Sequence, residues 1–151
     1  MSQGKVLIVE ARFYEDIADE LIKGVVPVLQ REGFTYDRIA VPGSFEIPAA
    51  IAMAAAALDP ATKQPRYAGY VALGCIVRGQ TSHYELVSGE SARGLQDLAV
   101  QQKLAIGYGI ICAENMEQAW ERAKVDGRNN GAHAAAACVR MIALRKLFGV
   151  I

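Results

Sequence analysis

Tyr70-Val71-Ala72-Leu73-Gly74-Cys75-Ile76-Val77 is an unbroken apolar run, and Arg78-Gly79-Gln80-Thr81-Ser82-His83-Tyr84 follows it as a polar, glycine-broken turn. The first half reads as a strand buried on both faces, the kind found in parallel sheets. From Tyr84 to Val100 the pattern becomes helical. A strand that ends in a short polar loop at a helix N-terminus offers free backbone N–H groups and the positive end of the helix dipole. That is an anion site. The same turn holds one of the chain's 2 histidines, a proton carrier that works near neutral pH. An anion site and a proton carrier at one strand end point to chemistry on a phosphorylated or carboxylated small molecule.

The pattern repeats on either side. Lys5 to Glu10 is a short apolar strand, and Ala11-Arg12-Phe13-Tyr14 is the turn after it. From Glu15, apolar residues recur at Ile17, Leu21, Val25 and Leu29, one face of a helix that Gly33 closes. Tyr36 to Val41 reads as a strand, Pro42-Gly43-Ser44 as a break, and Phe45 to Leu58 as a helix. Asp59 to Arg66 carries two prolines and reads as a surface loop. Leu104 to Ala113 is a further strand. Asn115 with Gln118 predicts a capping box for a helix through Lys124. After a polar turn, Gly131 to Phe148 reads as the last helix. Alternating strands and helices predict one α/β domain over residues 1–151: a three-layer α/β/α sandwich on a four-stranded parallel sheet. Ligands in such folds bind at the carboxyl ends of the strands.

Bulk properties narrow the classes. With 151 residues the chain can bury a sizeable core. Lys plus Arg and Asp plus Glu are 16 each, so no net field favours nucleic acid or an anionic membrane. No apolar stretch reaches the roughly 20 residues of a typical membrane-spanning helix. Met1-Ser2-Gln3-Gly4 leads straight into a strand, which predicts a cytoplasmic protein without a signal peptide. The 3 cysteines, Cys75, Cys112 and Cys138, lie in apolar contexts without metal-ligand spacing and read as reduced and structural. Ile47 to Leu58 has no charge, and Ala132 to Val139 is nearly all alanine. Helices apolar all round need cover on more than one face, and self-association supplies it.

At this point the chain resembles the lumazine synthase family. The resemblance rests on Ala11-Arg12-Phe13, on Val41-Pro42-Gly43-Ser44-Phe45-Glu46-Ile47-Pro48, and on Gly74 through His83, in that order along nearly the whole chain. It implies a flavodoxin-like fold and homopentamers with active sites between neighbouring subunits. It also implies the condensation of 5-amino-6-(D-ribitylamino)uracil with 3,4-dihydroxy-2-butanone 4-phosphate. The products are 6,7-dimethyl-8-ribityllumazine, phosphate and water, with no metal or redox cofactor.

The resemblance carries roles onto residues. Phe13 is expected to stack on the pyrimidine. Ser44, Phe45 and Glu46 are expected to bind ring and ribityl oxygens, and Cys75, Ile76 and Val77 to lie along the ring through their backbone. Gly79, Gln80 and Thr81 are the expected phosphate loop, and His83 the proton shuttle. Tyr108 and Arg122 are expected from the neighbouring subunit, the tyrosine on the pyrimidine and the arginine on the phosphate. Arg78 reads equally as a phosphate contact or a structural ion-pair partner. The segment Lys124 to Gly131 departs from the family pattern: Asp126 and Asn130 stand where lysines are common, and His133 stands where a glutamate is common. Lys124 and Arg128 lie nearby as substitute cations. That departure is the ground for an alternative, a catalytically weak lumazine- or flavin-binding protein of the same fold. A free pentamer is expected rather than a larger shell.

Overall fold

The computed structural model describes residues 2–150. Four strands, β1 (Lys5–Ala11), β2 (Thr35–Val41), β3 (Gly69–Val77) and β4 (Ile106–Ala113), form one sheet in the order β2-β1-β3-β4. All neighbours are parallel, with Val6 opposite Gly69 and Tyr70 opposite Ile106. Five helices connect and close them: α1 (Glu15–Arg31), α2 (Ile47–Ala56), α3 (His83–Gln101), α4 (Met116–Ala123) and α5 (Asn130–Leu147). The alternation of strands and helices predicts this parallel sheet with helices on both faces, and the arrangement is flavodoxin-like, as the family resemblance implies.

Strand alternation sorts the core into two layers. Val6 and Ile8 of β1, Val71, Leu73 and Cys75 of β3, and Ile111 and Ala113 of β4 face α1, α4 and α5. Leu7, Val9 and Ala11, with Tyr70, Ala72, Ile76 and Ile110, face α2 and α3. Successive side chains point to opposite faces, so a strand covered on both sides must be apolar at nearly every position. β1 and β3 meet that demand. β2 is an edge strand and is mostly open to solvent, which its Asp37 and Arg38 tolerate.

Element boundaries shift where local chemistry intervenes. The segment read as one helix from Phe45 to Leu58 is a 3₁₀ turn at Ser44–Glu46 followed by α2. Pro48 lies in the first turn of α2, where its missing N–H costs nothing. At the other end Ala57 is extended, and Leu58 bridges to Pro65 to close the surface loop. Pro27 lies inside α1 without ending it. It sits on the exposed side, while Val25, Val28 and Leu29 pack around it. The capping box of α4 is displaced by one residue. Asn115 Oδ1 accepts from the Gln118 N–H at 2.9 Å, but Gln118 Oε1 accepts from Glu114 rather than from Asn115.

The two apolar helices have different fates. In the alanine-rich start of α5, Ala134, Ala135 and Cys138 are buried against the sheet, while His133, Ala136 and Ala137 stay exposed. Its buried small side chains serve close packing on β4 and α1. A Cβ built on Gly107 would lie 1.9 Å from the Ala134 carbonyl oxygen, so backbone meets backbone there. α2 buries only Ile47 and Ile51. Met53 is 71% exposed, Ala49 and Ala56 are exposed as well, and Ala50, Ala54 and Ala55 are only partly covered.

Gly107→Ala must therefore push α5 off β4. The expected loss is roughly 2–3 kcal/mol or more, as for other overpacked cores. Urea denaturation with an unchanged m-value and a lowered midpoint would show it; an unchanged midpoint would contradict the contact.

Candidate active site

β1 and β3 are neighbours, but β1 connects to β2 on one side and β3 leads to β4 on the other. The strand order reverses between them. Chains leaving the two strand ends diverge, and a crevice opens at that point. A cleft of about 490 Å³ lies there.

Three segments build it. Ala11 ends β1, with Phe13 and Tyr14 after it; Gly43, Ser44, Phe45 and Glu46 precede α2; Cys75, Ile76 and Val77 end β3, and His83, Leu86 and Val87 open α3. The sequence-predicted Phe13, Ser44, Phe45, Glu46, Cys75, Ile76, Val77 and His83 thus converge from distant parts of the chain. Phe13 is 76% exposed and Phe45 51%, so two aromatic rings stand unpacked at the opening. Ser44 is buried at the floor beside Gly74, whose Cβ, if present, would lie 2.4 Å from the Ser44 Oγ. A glycine is required there for the two segments to approach.

The remaining predicted residues lie outside the cleft of their own chain. Gly79, Gln80 and Thr81 form the exposed loop at its edge. A Cβ on Gly79 would touch nothing within 4 Å, so open space surrounds the loop. The Thr81 hydroxyl accepts the His83 backbone N–H at 3.3 Å, which opens α3 and leaves its own O–H as a donor. Tyr108 lies one strand further along, beside Cys112 and a second cavity with Leu95 and Ala99. Arg122 donates to the Gln118 carbonyl on its own helix at 3.1 Å. Among the described lining residues there is no lysine or arginine.

Arg78 resolves as a structural group within the subunit. Its Nε donates to Glu114 at 2.7 Å, its Nη1 donates to Glu85, and its guanidinium stands 4.3 Å above the Tyr84 ring. These contacts bind the end of β3 to the start of α3 and hold Arg78 in its charged form, its pKa raised first by Glu85 and then by Glu114. In the departing segment, Lys124 and Asp126 pair with each other at 3.8 Å.

Sequence reading missed Ala11, Tyr14, Gly43, Leu86 and Val87 as lining residues. Leu86 and Val87 carried a signal. They stand three and four positions after His83, on the same helix face. The cleft wall is therefore mostly apolar, with Glu46 its carboxylate and His83 its imidazole among the described residues, beside the Tyr14 hydroxyl and the Cys75 thiol.

A flavodoxin-like sheet with an aromatic, carboxylate and imidazole cleft at its switch point defines a small-molecule enzyme of the α/β class. Comparison with known proteins names the family. The family model for 6,7-dimethyl-8-ribityllumazine synthase matches residues 3–146. A protein of that name from Bartonella tribocorum is 56% identical over 144 residues, covering 95% of this chain and 91% of its own. One from Agrobacterium fabrum is 51% identical over 150 residues, covering 99% of each chain. "6,7-dimethyl-8-ribityllumazine synthase 1" from Rhizobium meliloti is 49% identical over 144 residues, covering 95% of this chain and 93% of its own. The chain belongs to the 6,7-dimethyl-8-ribityllumazine synthase family.

The thiols are quiet. Burial pushes Cys75 and Cys138 up to about 12. Iodoacetamide at pH 7.5 is expected to leave both unmodified in the native protein and to modify them after unfolding, as read by intact mass. Stability due to these thiols is fully present below the unfolded thiol value of about 8.5 and is lost as pH rises from there toward 12. Rapid alkylation of native Cys75 would contradict its placement in the core.

Proposed function

We propose that this chain, as a single lumazine synthase domain, condenses 5-amino-6-(D-ribitylamino)uracil with 3,4-dihydroxy-2-butanone 4-phosphate. The products are 6,7-dimethyl-8-ribityllumazine, phosphate and water, a step of riboflavin biosynthesis. One observation carries the residue assignments: segments after β1, before α2 and after β3 meet in one cleft with an exposed aromatic ring, a carboxylate and an imidazole.

Phe13 stacks on the pyrimidine, a contact worth about 0.5–1.5 kcal/mol beyond area burial. The backbone of Ser44 and Phe45 and the Glu46 carboxylate bind ring and ribityl oxygens, while Cys75, Ile76 and Val77 lie along the ring edge. The exposed loop Gly79-Gln80-Thr81 takes the phosphate through backbone N–H groups and the Thr81 hydroxyl. The pyrimidine amine attacks the ketone and a water leaves to give a Schiff base, phosphate is then eliminated, and ring closure onto the second carbonyl expels a second water. Each step moves a proton, and the His83 imidazole accepts and returns them. The apolar wall of Leu86 and Val87 limits water around these transfers. Positioning of the two substrates supplies much of the remaining acceleration.

The same reading makes the active form a homopentamer in the cytoplasm. Its support is the exposed Met53 and neighbouring alanines of α2, the lack of a cation among the described cleft residues, and the position of Tyr108 and Arg122 away from their own cleft. In a closed ring the partner subunit's Tyr108 covers the open side of the pyrimidine, and the partner subunit's Arg122 meets the phosphate with its forked guanidinium.

Turnover of both substrates, followed by lumazine absorbance above the spontaneous rate, tests the reaction. His83→Ala is expected to lower kcat by roughly 10²–10⁴-fold without removing product binding. Equal rates in wild type and variant would remove His83 from the proton transfers. No rate above background in wild type would overturn the enzyme reading.

Assembly is tested by sedimentation and by mixing. Five chains of 16.3 kDa should travel as one particle. Co-refolding His83→Ala with Arg122→Ala subunits should regain part of the activity that neither has alone, because some interfaces then hold one intact site. A monomer with full activity would exclude shared sites.

A further inference from the structure

Arg12 and Phe13 are adjacent but serve different sides of the turn after β1. Phe13 lines the cleft, whereas Arg12 does not. The Arg12 guanidinium reaches back to Glu10, a carboxylate only 3% exposed on the α1 face of the sheet. Its Nη1 donates to Glu10 Oε1 at 2.6 Å. Glu10 also accepts from Arg38 of β2, from Nε at 2.8 Å and from Nη2 at 3.2 Å. The other edge of the Arg12 fork donates to Glu15 Oε2 at 3.0 and 2.7 Å, and to Asp19. One side chain thus ties the turn to β1, through Glu10 to β2, and to the first two turns of α1.

The Phe13 ring has little packing of its own. It is 76% exposed and meets Tyr14 edge-on at 4.9 Å. Its direction is set by the backbone of the turn, and Arg12 holds that backbone. A planar fork with several fixed acceptors determines geometry in a way that a single ammonium does not. Buried ion pairs are weak devices for stability, since apolar replacements are often as good or better. The network is better explained by the geometry that it imposes.

We propose that Arg12, anchored on buried Glu10, is a positioning residue that fixes the turn after β1 so that the Phe13 ring stands where the pyrimidine stacks. The inference rests on the role given to Phe13 above. The experiment is a double-mutant cycle on the intact protein with KM measured separately for each substrate. Arg12→Met is expected to raise KM for the pyrimidine by roughly 2–12-fold, the stacking contribution converted to a ratio, and to leave KM for the butanone phosphate unchanged. Arg12→Lys keeps the charge, loses the fork, and should behave much like Arg12→Met. In a Phe13→Ala background, Arg12→Met should add no further rise.

Losses that multiply in the double variant, or an equal rise in both KM values, would overturn the proposal in favour of a general structural role. A Phe13→Ala variant with unchanged pyrimidine KM would overturn the role of Phe13, and the positioning role with it, while leaving the reaction assignment in place. If Arg12→Met does not fold, Asp19→Ala removes one exposed acceptor instead. It should give a smaller rise confined to the pyrimidine, and no rise would overturn the proposal.

Discussion

The parallel pairing of β1 with β3, Val6 opposite Gly69 through Glu10 opposite Leu73, is the constraint on which the molecule depends. It places the two most apolar strands at the centre, where both faces must be covered. It sends β2 and β4 to opposite edges, and it opens the sheet's carboxyl end between the two central strands. Every residue of the cleft sits where it does because of that pairing. The turn after β1 and the loop after β3 leave from adjacent points, and the Ser44–Glu46 turn closes over Gly74 between them.

Packing around this centre is asymmetric in a way that bears on function. The α1, α4 and α5 face is tight, with Gly107 and Gly131 letting backbone approach backbone. The α2 and α3 face is looser and leaves Met53, Leu86 and Tyr108 exposed. The tight face gives rigidity to the strand ends. The loose face carries the cleft and the apolar surface that association would cover. A site with unpacked aromatic rings is unstable in water unless something else, substrate or neighbour, covers them.

Charge is handled differently at the two central strand ends. At the end of β1, Arg12 is absorbed into the Glu10 network; at the end of β3, Arg78 is absorbed by Glu85 and Glu114. Arg78, which the sequence left open as a phosphate contact, is neutralised by carboxylates in the fold, and so is Arg12. What remains open at the β3 end is the backbone of Gly79 and the hydroxyl of Thr81. The groups that the β3 end leaves open to an anion are therefore dipoles rather than charges.

The sequence alone determined the layer architecture, because period-2 and period-3.6 apolar patterns are local properties of β1, α1, β3 and α3. It also located much of the cleft wall, since glycine-broken turns at strand ends mark where ligands approach, and the family resemblance attached roles to Phe13, Glu46 and His83. It left the fate of Arg78 open and mislocated the start of α2, where Pro48 in the first turn confines the preceding residues to a 3₁₀ turn. Only the tertiary structure decided that Leu86 and Val87 join the wall, that Ala134 and Cys138 pack inward on β4, and that Glu10 is buried between two arginines. Those facts depend on which side of the sheet each residue faces and on partners distant in the chain, such as Arg38, 28 positions from Glu10. A linear pattern specifies the period of an element, but the identity of its neighbours is set only when the strands take their order.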